Sequence, residues 1–263
     1  MENAIAPDVA PRSVLTAGVD LAAEPKKTAL AIVDWSARGA RLVSLAVGVD
    51  DAAIVDAAEQ VDSMGIDCAF GWPDDFVAFV SGHAQSNRVD LSNDEGMAWR
   101  RRLAYRETDR EVHRRMGRWP LSVATDRLGL TAMHCAALLD AIGDRIGSVD
   151  RSGAGKVAEV YPGASLRIWG LLVPKYRVDR DARERLLQGL TAEAPWLDLG
   201  PHIDELLRTD DALDALLAAL TTRAHLVGQT FPVPEEHRAQ AAREGWIALP
   251  SGPLSALLDG LAP

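Results

Sequence analysis

The chain has 263 residues, of which 48% are hydrophobic and 25% charged, a balance that gives enough material for a sizeable core and does not fit a disordered protein. A formal net charge of -10 argues against broad, sequence-independent binding along duplex DNA, which depends on neutralising many phosphates at once. Cys68 and Cys135 are far apart and outside any C-x-x-C or Cys/His cluster, which speaks against a disulfide framework or structural zinc site, and no apolar run approaches the roughly 18 residues of a membrane span.

Residues 1 to 13 have no period and read as a flexible arm ahead of a single domain over 14 to 263. With no basic and apolar leader pattern at the start, the expected location is cytoplasmic, without membrane partners. Three strand candidates follow, "VLTAGVDLA", "TALAIVDW" and "RLVSLAVGV", joined by the short turns "EPKK" and "SARGA" that an antiparallel meander needs. "DDAAIVDAAEQVDS" predicts a helix capped by Asp50 or Asp51, with Ile54, Val55, Ala58 and Val61 on one face. It leads into a fourth strand, "MGIDCAF", and a helix between strands permits a crossover to a parallel partner. From about 71 to 153 the pattern is helical, with stretches near 74–85, 93–103, 108–116 and 126–143, and reads as an insertion. "KVAEVYP" is the fifth strand; helices at 181–190 and 210–227, a short edge strand "GWIALP" and a leucine-rich C-terminal helix complete an α/β chain with a mixed five-stranded sheet.

Asp20 and Asp67 occupy matching contexts, "GVDLA" and "GIDCA", in the first and fourth strands. If those strands run parallel and adjacent, about 4.8 Å apart, the two carboxylates stand side by side and repel unless a cation lies between them. Glu159 repeats the motif of one acid in an apolar strand. Asp214 falls at the border of the buried stripe Leu213, Leu216, Leu217 and Leu220, and Asp211 lies one turn earlier toward solvent. Capping roles, or for Glu159 an arginine partner, would account for these acids singly; together they suit a hard cation, Mg²⁺ or Mn²⁺, and hydrolysis of phosphodiesters.

The meander, the crossover helix and the acid on the first strand resemble the ribonuclease H-like superfamily, and "DDALDALLAAL" is similar to the closing helix of RuvC-type resolvases. At a finer level, "GVDLA", "GIDCAFGWP", "RETD", "EVYPGASLRIWG", "DALDALLAAL" and "EGWIALP" resemble the domain-of-unknown-function 429 family (DUF429), described as predicted nucleases. The resemblance implies a ribonuclease H-like fold and a metal-dependent nuclease with Asp20, Asp67 and Asp214 catalytic, and Asp211 and Glu159 as further metal ligands. Asp67 stands where resolvases carry glutamate. Arg106, Thr108 and Asp109 of "RETD", with Trp72 and Tyr161, become candidate substrate-binding residues.

Residues 97 to 119 carry eight arginines, one histidine and three acids. Such a face could track a nucleic-acid backbone, with Trp99, Tyr105 or Trp119 stacking on bases, or it could be a salt-bridged helical surface. Arg106 could hold a phosphate or pair with a buried acid. Two other functional classes stay open at this point. One is a non-catalytic module binding nucleotide, nucleic acid or protein; the other is an actin-like or sugar-kinase-like ATPase, less well matched because Leu21, Ala22 and Ala23 follow Asp20 where a phosphate-wrapping hairpin needs small hydroxyl residues or glycine.

Overall fold

The structure is a computed structural model that describes residues 13–87 and 96–260. The expected N-terminal arm and the first residues of the helix expected from 93 therefore lie outside the described residues.

Strands β1 (Val14–Asp20), β2 (Ala29–Ser36) and β3 (Gly39–Val47) form the antiparallel meander, and helix α1 (Asp51–Gln60) carries the chain to β4 (Ser63–Asp67), which lies parallel to β1. Asp50 caps α1 by accepting a hydrogen bond from Ala53 N at 3.0 Å. Helices α2 (Asp74–Ala84), α3 (Met97–Ala104), α4 (Glu107–Met116) and α5 (Gly129–Ile146) lie between β4 and β5 (Val157–Glu159), which pairs in parallel with β4. Then follow α6 (Pro162–Ile168), α7 (Arg180–Glu193), β6 (Leu197–Asp198), α8 (Ile203–Arg208), α9 (Asp210–Leu226) and α10 (Arg238–Glu244).

The sheet has six strands in the order β5-β4-β1-β2-β3-β6, not the five expected. The sixth, β6, is two residues long and pairs in parallel with Ala40 and Arg41; so short a segment leaves no alternation to read. "GWIALP" is extended but forms only isolated bridges, Ile247 to Glu159 and Pro250 to Thr230. The leucine-rich C-terminal segment is a 3-10 turn, Leu254–Leu258.

One face of the sheet packs on α1 and α5 through Ala17, Val19, Met64 and Ile66 against Ile54, Leu138 and Ile142. The other carries α9, and two glycines set how close it comes. Side chains on a strand alternate, so Gly18 shares a face with Asp20, and Gly65 with Asp67. A Cβ at Gly18 would stand 2.1 Å from Ala219 N and 2.2 Å from Ala215 O; one at Gly65 would stand 2.1 Å from the Thr222 hydroxyl. The alanines 215, 218 and 219 complete this close seam, all fully buried. Thr16 Oγ1 donates to Ala219 O at 3.1 Å, and Thr222 Oγ1 to Ala17 O at 3.1 Å, pinning helix to sheet. The glycine two residues before each strand acid thus makes room for α9, and the N-terminal turns of α9 lie over the carboxyl ends of β1 and β4.

Candidate metal centre

Asp20 and Asp67 are register partners at the carboxyl ends of adjacent parallel strands. Asp214, one turn before Ala218 on α9, completes a group in which one carboxylate oxygen from each residue lies within 4.8 Å of the others. Oxygen ligands held 2.0 to 2.6 Å from one hard cation stand roughly 4 to 5 Å apart at most, so this spacing fits such an ion. These three carboxylates could bind a metal ion.

Their electrostatics separate them from ordinary surface acids. Burial pushes the Asp20 carboxyl well up, and the charges of Asp67, Asp214 and Asp211 add to this while Arg177 opposes it. Burial, with Asp214 behind it, raises Asp67 to about 8. Burial also raises Asp214, to about 6, although Arg177 and the Tyr176 hydroxyl hold it down. Tyr176 Oη donates to Asp214 Oδ1 at 2.9 Å, Arg177 Nε donates to Tyr176 Oη at 3.1 Å, and Arg177 Nη2 lies 3.2 Å from Asp214 Oδ2. Among the described residues, Asp20 and Asp67 have no hydrogen-bond or ion-pair partner for their carboxylates.

Asp211 lies farther out. Its carboxylate accepts from Thr209 Oγ1 at 2.9 Å, its amide donates back to the same hydroxyl at 3.1 Å, and it lines the same cleft without joining the group of three.

Glu159 is held differently. Arg106 Nη1 donates to its Oε2 at 2.8 Å and Nη2 to its Oε1 at 2.7 Å, while Phe70 N donates to Oε2 at 3.0 Å. The same guanidinium grips Asp109 through Nε at 3.2 Å and Nη2 at 3.0 Å. All three residues are buried, and although burial works against a charged Arg106, Asp109 and Glu159 together hold its pKa above the ordinary range. Of the two readings of Arg106, the structure places it with buried acids. Thr108 Oγ1 accepts from Ile247 N at 2.8 Å, tying "RETD" to "EGWIALP". Glu244 of the latter motif accepts from Asp74 N at 2.7 Å and Glu107 N at 2.8 Å, so one buried carboxylate caps the first turns of both α2 and α4. Gly245, at φ +88°, must be glycine, since a Cβ would stand 2.6 Å from Glu159 Oε2. The three motifs "RETD", "EVYP" and "EGW" therefore converge on one buried clamp behind the acids.

Around the three acids opens a cleft of about 440 Å³. Tyr161 is on its wall and Trp72 is not; Trp72 packs against Ala69, Val123 and Ala132 instead. Cations on the wall besides Arg106 are Lys27, Arg127 and Arg177. Sequence reasoning missed these three and Tyr176, because "VPKYRVD" and "ATDRLG" are irregular loops where a lone basic residue carries no periodic signal. The α4 part of the basic stretch is spent on acids of the same helix, while Arg100, Arg101 and Arg118 are exposed with no ion pair among the described residues. Arg114 pairs with Glu107 at 3.1 Å and Glu111 at 2.6 Å, Arg115 with Glu111 at 2.5 Å, and Arg110 with Glu107 at 3.3 Å. Trp119 stacks with both Tyr105 and His113, each ring centroid 4.1 Å away, and Trp99 meets Phe79 edge-on.

Among the described residues no helix is long and apolar enough to cross a membrane. A family model described as "Protein of unknown function (DUF429)" matches residues 18–239. No curated protein and no solved structure matches the chain.

Proposed function

The chain belongs to the DUF429 family, and we propose that it is a metal-dependent phosphodiesterase acting on nucleic acid or nucleotides through Mg²⁺ or Mn²⁺ held by Asp20, Asp67 and Asp214. The observation that carries this reading is a contrast among buried and half-buried acids. The buried Glu159, Asp109 and Glu244 each have charged or amide partners at hydrogen-bond distance, whereas the half-buried Asp20 and Asp67 face each other with none among the described residues. An unpaired pair of carboxylates raised by burial is costly to keep unless a cation compensates it. The meander β1–β3, the α1 crossover and the parallel strands β4 and β5 support a ribonuclease H-like arrangement.

When bound, a hard divalent cation supplies Lewis acidity and an ionised water at neutral pH. Asp20 and Asp67 are free to act as ligands at once, since no donor among the described residues competes for them. Asp214 is oriented by Tyr176 and shares its second oxygen with Arg177. The Arg177 side chain is 48% exposed, so it can turn from Asp214 to a substrate phosphate, a bidentate geometry that suits guanidinium. Lys27 adds a second phosphate contact from the β1–β2 connection.

The test is a substrate screen with Mg²⁺ or Mn²⁺ over single strands, hybrids, branched junctions and nucleotides, run beside Asp20→Asn. Cleavage by wild type and its loss in the variant are expected. Variant activity within about threefold of wild type, only ~0.7 kcal/mol in the barrier, overturns the assignment.

A further inference from the structure

We infer that the cleft takes a nucleoside carrying one to three phosphates, free or as the unpaired end of a strand, and does not take a duplex along its length. This rests on the metal reading above and adds the class of substrate.

The first argument is size. At about 440 Å³ the cleft falls within the roughly 300 to 1,000 Å³ of pockets that enclose small molecules. The second is the supply of positive charge. Lining the cleft are Lys27, Arg127, Arg177 and Arg106, and the last is consumed by Glu159 and Asp109. Lys27 and Arg127 are exposed and have no ion pair among the described residues, while Arg177 touches only the edge of the acid group. Three cations can answer about three phosphates. Duplex-binding proteins commonly neutralise about six to ten. The third is that no basic track leaves the cleft along α4: Arg110, Arg114 and Arg115 are paired with Glu107 and Glu111, and the whole chain is at -10. A long backbone laid along α4 would find few free partners.

The fourth argument concerns the rest of the ligand. Opposite chemistry lines the same space: Leu21, Leu121 and Leu128 with the ring of Tyr161. Leu121 is 44% exposed, an apolar side chain left open at the mouth. Acids and cations alone would suit inorganic phosphate; an apolar and aromatic wall beside them suits a base and sugar, which stack on aromatic rings with little regard to sequence.

The experiment is equilibrium binding with Mn²⁺ present, using inorganic phosphate, AMP, a 5′-phosphorylated 20-nucleotide strand and a circular strand of the same composition, and a blunt 20-base-pair duplex, with phosphorothioate linkages to prevent turnover. We expect AMP to bind at least tenfold tighter than inorganic phosphate and within about threefold of the linear strand. For the linear strand the slope of log K against log salt should be near -2, about three phosphates at roughly 0.7 each, and should not grow with strand length; for AMP, with one phosphate, it should be shallower. Tyr161→Ala should lower AMP affinity about tenfold, and Leu121→Ala, an exposed position, about threefold, with phosphate binding unchanged in both. Loss of binding on circularisation assigns the strand end as a source alongside the free nucleotide; equal binding of the circle overturns the terminal part of the inference. Equal affinity for phosphate and AMP overturns the nucleoside, and a duplex bound tenfold tighter than AMP with a slope steeper than about -5 overturns the whole. Titration of Mn²⁺ alone separates the two layers: if wild type binds no Mn²⁺ yet holds AMP and the linear strand with these preferences over phosphate and duplex, the metal reading fails and the ligand class stands.

Discussion

Replacing Asp20 by Asn changes charge without changing volume, so it isolates the repulsion among the three carboxylates. At the 4.8 Å limit of their separation, one pair of unit charges repels by about 0.9 kcal/mol at the dielectric of water and by about 3.5 kcal/mol at an effective dielectric of 20. The cleft is open, Arg177 offsets part of the field, and without metal the raised carboxyls relieve part of the repulsion by holding protons at a cost that the variant escapes, so a gain of roughly 1 to 3 kcal/mol is expected for the variant in EDTA. For a chain of this length each kcal/mol moves the melting temperature by roughly 2–4 °C. Cation binding acts in the opposite sense: at a hundredfold excess over Kd it stabilises wild type by about 2.7 kcal/mol, and a site short of one ligand gains less. Melting curves in EDTA and in millimolar Mn²⁺ should therefore exchange order, with the variant more stable without metal and wild type gaining more with it. A variant less stable than wild type in EDTA, with metal shifting neither, would refute the reasoning, because it would mean that Asp20 has a structural partner.

Arg177→Gln removes the cation that shares Asp214 with the metal; Mn²⁺ affinity, by calorimetry, should rise about threefold while nucleotide affinity falls about tenfold, and a fall in both would show that Arg177 only supports the fold. His134 bridges Ala22 O and Asp51 Oδ1, each at 2.7 Å; burial works to lower its pKa, but the bonds to Asp51 and Ala22 prevail and raise it above the ordinary value. A raised folded pKa means that this stability is fully present below about pH 6.5 and lost as pH rises through the folded value. With Asp51 half exposed to screening solvent, wild type should exceed His134→Gln by about 1 kcal/mol at pH 5.5 in urea titrations and lose that charge-dependent advantage by pH 9; an advantage that does not change with pH contradicts the pairing.

The order of long elements was open to sequence reading because each has a period or a cap. The meander alternates, α1 is capped by Asp50, and α9 carries a leucine stripe. Short elements were not: β6 is set by where α7 delivers Leu197 beside Ala40, a tertiary event with no local trace. "GWIALP" has the composition of a strand, but its chain is directed by amides that bond to the Thr108 hydroxyl and the Glu159 carbonyl, so it bridges without forming a ladder. Parallel pairing of the first and fourth strands was enough to read Asp20 beside Asp67, whereas helical spacing put Asp214 only at the border of a buried stripe and the family resemblance implied its place beside them. Arg177 was not legible, because a loop without periodicity places it.

Where pattern alone misleads is the likeness of Glu159 to Asp20. Both are single acids in apolar strands, and nothing in their neighbours separates them until the chain is folded. Glu159 then proves to be gripped by Arg106 and Phe70 N, while Asp20 faces open space and like charge. The same isosteric change should therefore have opposite signs at the two positions. Glu159→Gln leaves the buried Arg106 guanidinium with Asp109 as its one carboxylate and the Glu244 carbonyl at 3.1 Å; breaking a buried pair from one side costs about 3 to 5 kcal/mol, and these remaining partners should hold the loss near the lower figure. Melting should fall by roughly 6 to 12 °C in EDTA. Millimolar Mn²⁺ should raise the variant by as much as it raises wild type, because the three clustered carboxylates are intact. If Glu159→Gln is instead neutral in EDTA and loses the Mn²⁺ response, Glu159 is a metal ligand, and the division of these buried acids into a structural clamp and a cation site is wrong.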